Sequence, residues 1–375
     1  MQISPLISYF TVAIFGLAFG SFLNVCIVRL PRQESIITPR SHCPRCGKPI
    51  RWYDNIPVLS YLFLRGRCRD CREPISLIYP TVEILTAGFV VAAWARYGFT
   101  PEFVKYAVLG MLLLVLVFTD LTARRIPHAV TRLGIGLGLL LSFVVPVDNR
   151  PLEWLLGRFD FYLEGTFSSV LGSVVGALLG GGLLYGVCLA FQAFYRWLRL
   201  PKPFQGVVHC KCGDQEFESV GRNITESGMS IESPGEISVG EEWKLEFELP
   251  DFDGSFQVRT RVLREEHSDL VVVSFVDLTP RQRKSIRQYN PFLGFGDVML
   301  MLMVGTFLGV PLTYVSITLG TLAGALVAVP SRIASERFRS FQWPYGSFLG
   351  AAAIYASLGG QALLDAYLRW SGLAG

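Results

Sequence analysis

The run PLISYFTVAIFGLAFGSFLNVCIV, residues 5–28, contains no lysine, arginine, aspartate or glutamate. About 20 helical residues cross the hydrocarbon core of a bilayer, so this run is long enough to span one. A secretory signal would carry basic residues ahead of its apolar stretch, whereas the first basic residue here, Arg29, follows it. The run therefore reads as a retained transmembrane helix. From Arg29 to Arg72 there are ten Lys/Arg against three Asp/Glu. That excess predicts a cytoplasmic segment and an N-terminus on the outer side.

The rest of the 375-residue chain agrees with a membrane protein. It is 51% hydrophobic and 17% charged, with a mean hydropathy of +0.41, too apolar for an ordinary soluble protein. Further apolar blocks at 78–96, 102–119, 128–147, 166–195, 298–311, 312–330 and 345–368 bring the expected spans to eight. Residues 202–288 break this character. Stretches such as EEWKLEFELP and LVVVSFVDL alternate with period two or run β-rich, the pattern of half-buried antiparallel strands. The expected organisation is a first transmembrane helix at 1–28, a cytoplasmic cysteine loop at 29–77, helices two to five at 78–200, a small β-barrel insertion at 201–289, and helices six to eight at 290–375. Both termini are expected outside, with the loop and the insertion in the cytoplasm.

Threading that topology places Asp120, in VFTDLTARRIP (117–127), and Asp297, in GFGDVML (294–300), at the same membrane depth on the cytoplasmic side. Acids near hydrocarbon are costly and usually functional, although an Asp at a helix end can also simply cap amides. Two carboxylates sharing a site cannot both ionise easily, so they hold one proton between them. One can then draw a proton from water while the other polarises a scissile carbonyl. Gly294 and Gly296 would let backbone approach closely beside Asp297. A proton relay in a transporter is the competing use of such a pair, but no inverted repeat favours it. A signalling receptor merely anchored in the membrane would not need eight spans.

CPRC at 43–46 and CRDC at 68–71 are separated by 21 residues. Each C-x2-C can turn two thiolates onto one ion, so Cys43, Cys46, Cys68 and Cys71 would complete a closed tetrahedral zinc site. A closed site has no open position, which makes the zinc structural. His42 is a bystander, and Cys26 and Cys188, inside apolar runs, read as core residues.

Taken together, GSFLNVCIVRLP at 20–31, the cysteine segment 41–83, the Asp120 segment, GFGD at 294–297 and PYGSFLG at 344–350 resemble the prepilin peptidases, membrane aspartyl proteases of the GxGD type. The resemblance implies a bacterial inner-membrane enzyme with Asp120 and Asp297 catalytic. It implies that the substrates are type IV prepilins or pseudopilins, cut at their basic leader. It also implies methylation of the new N-terminal amine by S-adenosylmethionine, and no nucleic-acid partner. One departure stands out: the family's lysine two residues after GxGD is Met299 here, which removes a cation from the neighbourhood of the pair.

The insertion resembles a PilZ domain through GRNITESGMSIES at 221–233, with Thr225 where that family's motif has serine. The resemblance names cyclic di-GMP as a ligand and Arg222, Asn223, Thr225 and Gly228 as its site. The RxxxR pair that would clamp phosphate from the upstream end of the domain is absent; Arg196 and Arg199 stand one residue too close. A barrel serving as a spacer or docking a protein regulator is therefore the favoured alternative. Cys210 and Cys212, beside His209, offer too few ligands for a second metal.

Overall fold

The computed structural model describes residues 4–150, 153, 157–158, 165–198, 200–204, 206–212, 215–232, 238–249, 255–265, 270–289, 294–334 and 343–371. Its helices are α1 (Pro5–Arg29), α2 (Leu59–Phe63), α3 (Ile78–Tyr97), α4 (Pro101–Ala123), α5 (His128–Ser142), α6 (Gly165–Trp197), α7 (Pro280–Gln288), α8 (Phe295–Ala334) and α9 (Tyr345–Trp370). Two compact units result. One comprises residues up to Leu183 with Gly296–Ala325 and Pro344–Gly375, and the other Leu184–Phe295 with Leu326–Trp343.

The first unit is a helical bundle. Among the described residues six helices, α1, α3, α4, α6, α8 and α9, are long and apolar enough to cross a membrane. The expected eight spans differ from this in two places. α5 is apolar but only 15 residues long. Two expected spans are joined in the 40-residue α8, which is broken at Gly309 (φ 69, ψ −171).

Small residues let the bundle close. In α1, a Cβ added at Gly16 would lie 2.6 Å from Ala87 Cα, and one at Gly20 would lie 2.6 Å from Glu83 Cα. This G-x-x-x-G stripe brings α1 and α3 to backbone contact, an arrangement favoured where water cannot drive helix association. The pairing is antiparallel, as is that of α3 with α4, where Phe89 fills the space over Gly110. α9 begins beside the end of α4, with Gly350 against Val117. The C-terminal ends of α1 and α4 and the N-terminal ends of α3 and α9 thus share one end of the bundle.

The second unit contains the strands β1 (Lys202–Pro203), β2 (Val207–Cys212), β3 (Gln215–Ile224), β4 (Gly228–Glu232), β5 (Glu242–Phe247), β6 (Phe256–Glu265) and β7 (Leu270–Phe275). Six close into an antiparallel barrel in the order β3-β2-β5-β6-β7-β4, with β4 pairing back onto β3 and β1 adding to β3. Closure removes the open edges that would otherwise invite aggregation. The alternation in sequence becomes the wall: Val208, Ile224, Ile231, Leu245, Phe247, Val271 and Val273 point into a core from which solvent is excluded. α7 plugs this core with Ile286, followed by Tyr289. Its start is fixed by a capping box in which Thr279 and Gln282 satisfy each other's backbone N–H.

Candidate active site and metal centre

Asp120 lies in the last turn of α4 and is buried at 7% exposure. The helix ends just beyond it because Arg124 adopts a left-handed conformation (φ 51) and returns its N–H to the Asp120 carbonyl at 3.0 Å. Asp297 lies in the first turn of α8, where the helix dipole favours an acid, and is equally buried.

The start of α9 brings the two acids to one point. A Cβ added at Gly346 would lie 2.7 Å from Asp297 Oδ1 and 3.1 Å from Asp120 Oδ2. The two oxygens therefore flank a space that only glycine leaves open. The next residue, Ser347, donates its backbone N–H (2.7 Å) and can donate its hydroxyl (2.8 Å) to Asp120 Oδ2. That hydroxyl is also 3.1 Å from the Val117 carbonyl. Ile126 packs over the same spot, and a Cβ at Gly296 would meet it at 2.8 Å. Gly294 directly precedes α8, and Met299 is half-buried in the first turns of that helix. Gly346, Ser347 and Ile126 were given no role from sequence. The trace they leave there is the small Gly-Ser pair inside PYGSFLG, at the first turn of an apolar helix.

The four sulfurs of Cys43, Cys46, Cys68 and Cys71 lie within 4.8 Å of one another, with Cys43 and Cys71 at 3.8 Å. Bonds of about 2.3 Å to a tetrahedral zinc would place sulfurs about 3.8 Å apart, so the residues fit a closed metal site. Two equivalent backbone knuckles build it. In the first, Cys43 N–H bonds Lys48 O (3.0 Å), Gly47 N–H bonds Cys43 O (2.9 Å) and Ile50 N–H bonds Ser41 O (2.8 Å). In the second, Cys68 N–H bonds Glu73 O (2.8 Å), Arg72 N–H bonds Cys68 O (3.1 Å) and Ile75 N–H bonds Gly66 O (2.7 Å). The left-handed position is Gly47 (φ 70) in one and Arg72 (φ 63) in the other. The Cys46 backbone N–H leads in pulling the Cys43 thiol down to about 7. Cys71 goes the other way, to about 12: the Glu73 N–H pulls it down, but burial and the three neighbouring thiols push it further up. Four adjacent thiols cannot all ionise without a cation among them.

Between this loop and the ends of α1 and α3 lies a cavity of about 540 Å³. Asn24, Arg29, Asp54, Tyr61, Tyr79 and Glu83 are among the residues lining it. Glu83 Oε2 accepts from Val58 N–H at 2.7 Å, and Asn24 donates to Tyr79 O at 3.0 Å, so the loop is fastened to both helices. The cavity and the acid pair lie at the same end of the bundle.

In the barrel, Thr225 turns the β3–β4 connection by accepting from Ser227 N–H (3.3 Å) and Gly228 N–H (3.1 Å). Asn223 pairs across to Ser230 and Pro203. Arg222 is ion-paired with Glu232. Arg199 lies outside the described residues.

The family profile "Bacterial Peptidase A24 N-terminal domain" matches residues 14–97, and "PilZ domain" matches 192–290. The prepilin leader peptidase/N-methyltransferase of Myxococcus xanthus is 47% identical over 198 residues, covering 52% of this chain. The chain spans 58% of that relative's length. The proteins of the same description from Klebsiella pneumoniae and Legionella pneumophila are 36% and 37% identical, each over 47% of this chain. They are spanned to 72% and 82% of their lengths. With apolar helices, a four-cysteine cluster and a PilZ domain in one sequence, the chain belongs to the prepilin leader peptidase/N-methyltransferase family.

Proposed function

We propose that this chain is an intramembrane aspartyl endopeptidase. It removes the leader of type IV prepilin-like precursors and then methylates the new N-terminus. The observation that carries this is the convergence of Asp120 and Asp297 on the space left by Gly346. A water held between the carboxylates would lose a proton to one of them as it attacks the scissile carbonyl. The other, protonated, would hydrogen-bond the developing oxyanion and later supply a proton to the leaving amine. Ser347, with two donors on one oxygen of Asp120, fixes the orientation of that carboxylate.

The cysteine centre, loaded with zinc through Cys43, Cys46, Cys68 and Cys71, would fasten a loop too small to hold a core of its own. In the cavity beside it, S-adenosylmethionine would supply the methyl group to the N-terminal amine. The cavity has the volume for a nucleoside-sized molecule. The excess of basic residues in the loop supports a cytoplasmic position for this end of the bundle in the inner membrane, which would leave both termini outside. For the barrel, the ion pair of Arg222 with Glu232 and the lack of an RxxxR pair just upstream of the first strand favour weak cyclic di-GMP binding or none.

Purified protein in nanodiscs, incubated with a prepilin and S-adenosylmethionine, should yield a shortened, methylated pilin by mass spectrometry. A chain that binds the prepilin yet leaves its leader intact would overturn the proposal.

A further inference from the structure

α7 carries Arg281, Arg283, Lys284 and Arg287, and no acid in nine residues. Its inward side is committed to the barrel, where Ser285 and Ile286 are buried. Arg287 is committed too, in a two-bond ion pair with Glu226 at 2.9 Å for each bond. Arg283 also lies within the field of Glu226, so that acid is already shared. Arg281, Arg283 and Lys284 are exposed and leave a net basic face.

Within the same compact unit, α7 is tied to the last turns of α6. Gln192, near the end of α6, donates from Nε2 to the Gln288 carbonyl at 3.0 Å. Lys202 Nζ donates to the carbonyls of Ile286, Arg287 and Tyr289 at 3.2, 2.7 and 2.7 Å. The three donors of one ammonium thus cap the negative end of α7. α6 has 33 residues, about 50 Å of helix, whereas the hydrocarbon core is about 30 Å thick. At least one of its ends therefore stands out of the core. Trp197, 79% exposed at the C-terminal end, is the kind of amphipathic aromatic residue found at the headgroup level, and marks that end as the protruding one. On the other side six residues separate Gln288 from the start of α8, a reach of at most about 25 Å.

We propose that the face formed by Arg281, Arg283 and Lys284 binds the anionic lipid headgroups of the membrane that α6 and α8 enter, laying the PilZ domain on the bilayer surface. Charge complementarity and the tie of α7 to the last turns of α6 select this occupant. It rests on the membrane reading of the helices and is independent of the peptidase chemistry.

The test is hydrogen exchange of the full chain in nanodiscs of phosphatidylcholine alone and of phosphatidylcholine with about 30% phosphatidylglycerol. Each basic side chain near an anionic surface contributes roughly a fivefold gain in local binding. Amides of 279–288 should therefore exchange at least several-fold more slowly in the anionic discs. The difference should vanish near 0.5 M salt, where the Debye length falls to a few ångströms. The variant R281Q/R283Q/K284Q should lose the lipid dependence, and K244Q/R261Q on the barrel wall should keep it. Exchange of β4 and β7 reports whether each variant is folded, and the salt titration of the unaltered chain needs no variant. Equal exchange in both lipids, protection that survives salt, or the same loss in the barrel-wall variant would overturn the proposal.

Discussion

The four cysteines and the two acids are each gathered to one point, by opposite routes. Cys43 and Cys71 are 28 positions apart, and their geometry is set by a backbone pattern that the chain repeats after 25 residues. Asp120 and Ser347 are 227 positions apart, and the acids meet only because the ends of α4, α8 and α9 pack together. A locally built site depends on a few turns; one assembled from distant helices depends on every contact that sets their spacing. Damage at the acids should leave the cysteine centre intact, and damage at the cysteines should cost the acids little.

The largest effect is expected from Asp120→Asn or Asp297→Asn, each of which should lower leader cleavage at least 1,000-fold, as for loss of an essential acid or base. Metal content, read by atomic absorption, should stay at the unaltered value; a fall would tie the two centres together. Gly346→Ala comes next. Its Cβ would enter the space between the carboxylates, and cleavage should drop roughly 100-fold, since misplacement of about an ångström costs that much. Near-normal cleavage would mean that the pair is not where water is activated.

Cys43→Ser should remove the metal and the methylation while lowering cleavage less than about tenfold, because the loop loses its fastening and the acids keep theirs. Metal loading of the unaltered protein should weaken as pH falls below about 7, where the Cys43 thiol takes up its proton and competes with the ion. Loading that is flat from pH 8 to 5.5 would contradict this. Ser347→Ala should slow cleavage at least about tenfold, the lower end of what the ~1.5–3 kcal/mol of a hydrogen bond to a charged group would cost. Ser347→Thr, which keeps the hydroxyl, should recover part of the rate, and a shift of the pH–rate profile in Ser347→Ala alone would mark its role as positioning. The smallest effect is expected from Arg72→Gly. Releasing a non-glycine residue from a left-handed conformation should raise resistance to chelator slightly, by at most ~1 kcal/mol.

What could be read from the sequence follows the same division. The cysteine spacing, the long apolar runs and the period-two strands are local patterns, and each reappears as a structural element. The acids could be paired because topology alone puts them at one end of the bundle. Gly346 and Ser347 could not be assigned, since a glycine and a serine at a helix start are ordinary there and gain meaning only from what packs opposite. The second knuckle hides its likeness to the first because Arg72 replaces the expected glycine. The pairing of Arg222 with Glu232 follows from a shift in register between β3 and β4 that no spacing rule announces.

The break in α8 sets a limit on depth. From Phe295 to Leu308 there are fourteen residues, about 21 Å of helix, against about 30 Å of hydrocarbon. This half-helix cannot reach from one surface to the other, so at least one of its ends lies within the thickness of the membrane. Loose backbone at that depth has to be sheltered by protein, and Val147 and the Asp148 carbonyl press against Gly309 at the break. The shelf at 147–148 therefore serves as the floor of the half-helix that carries Asp297.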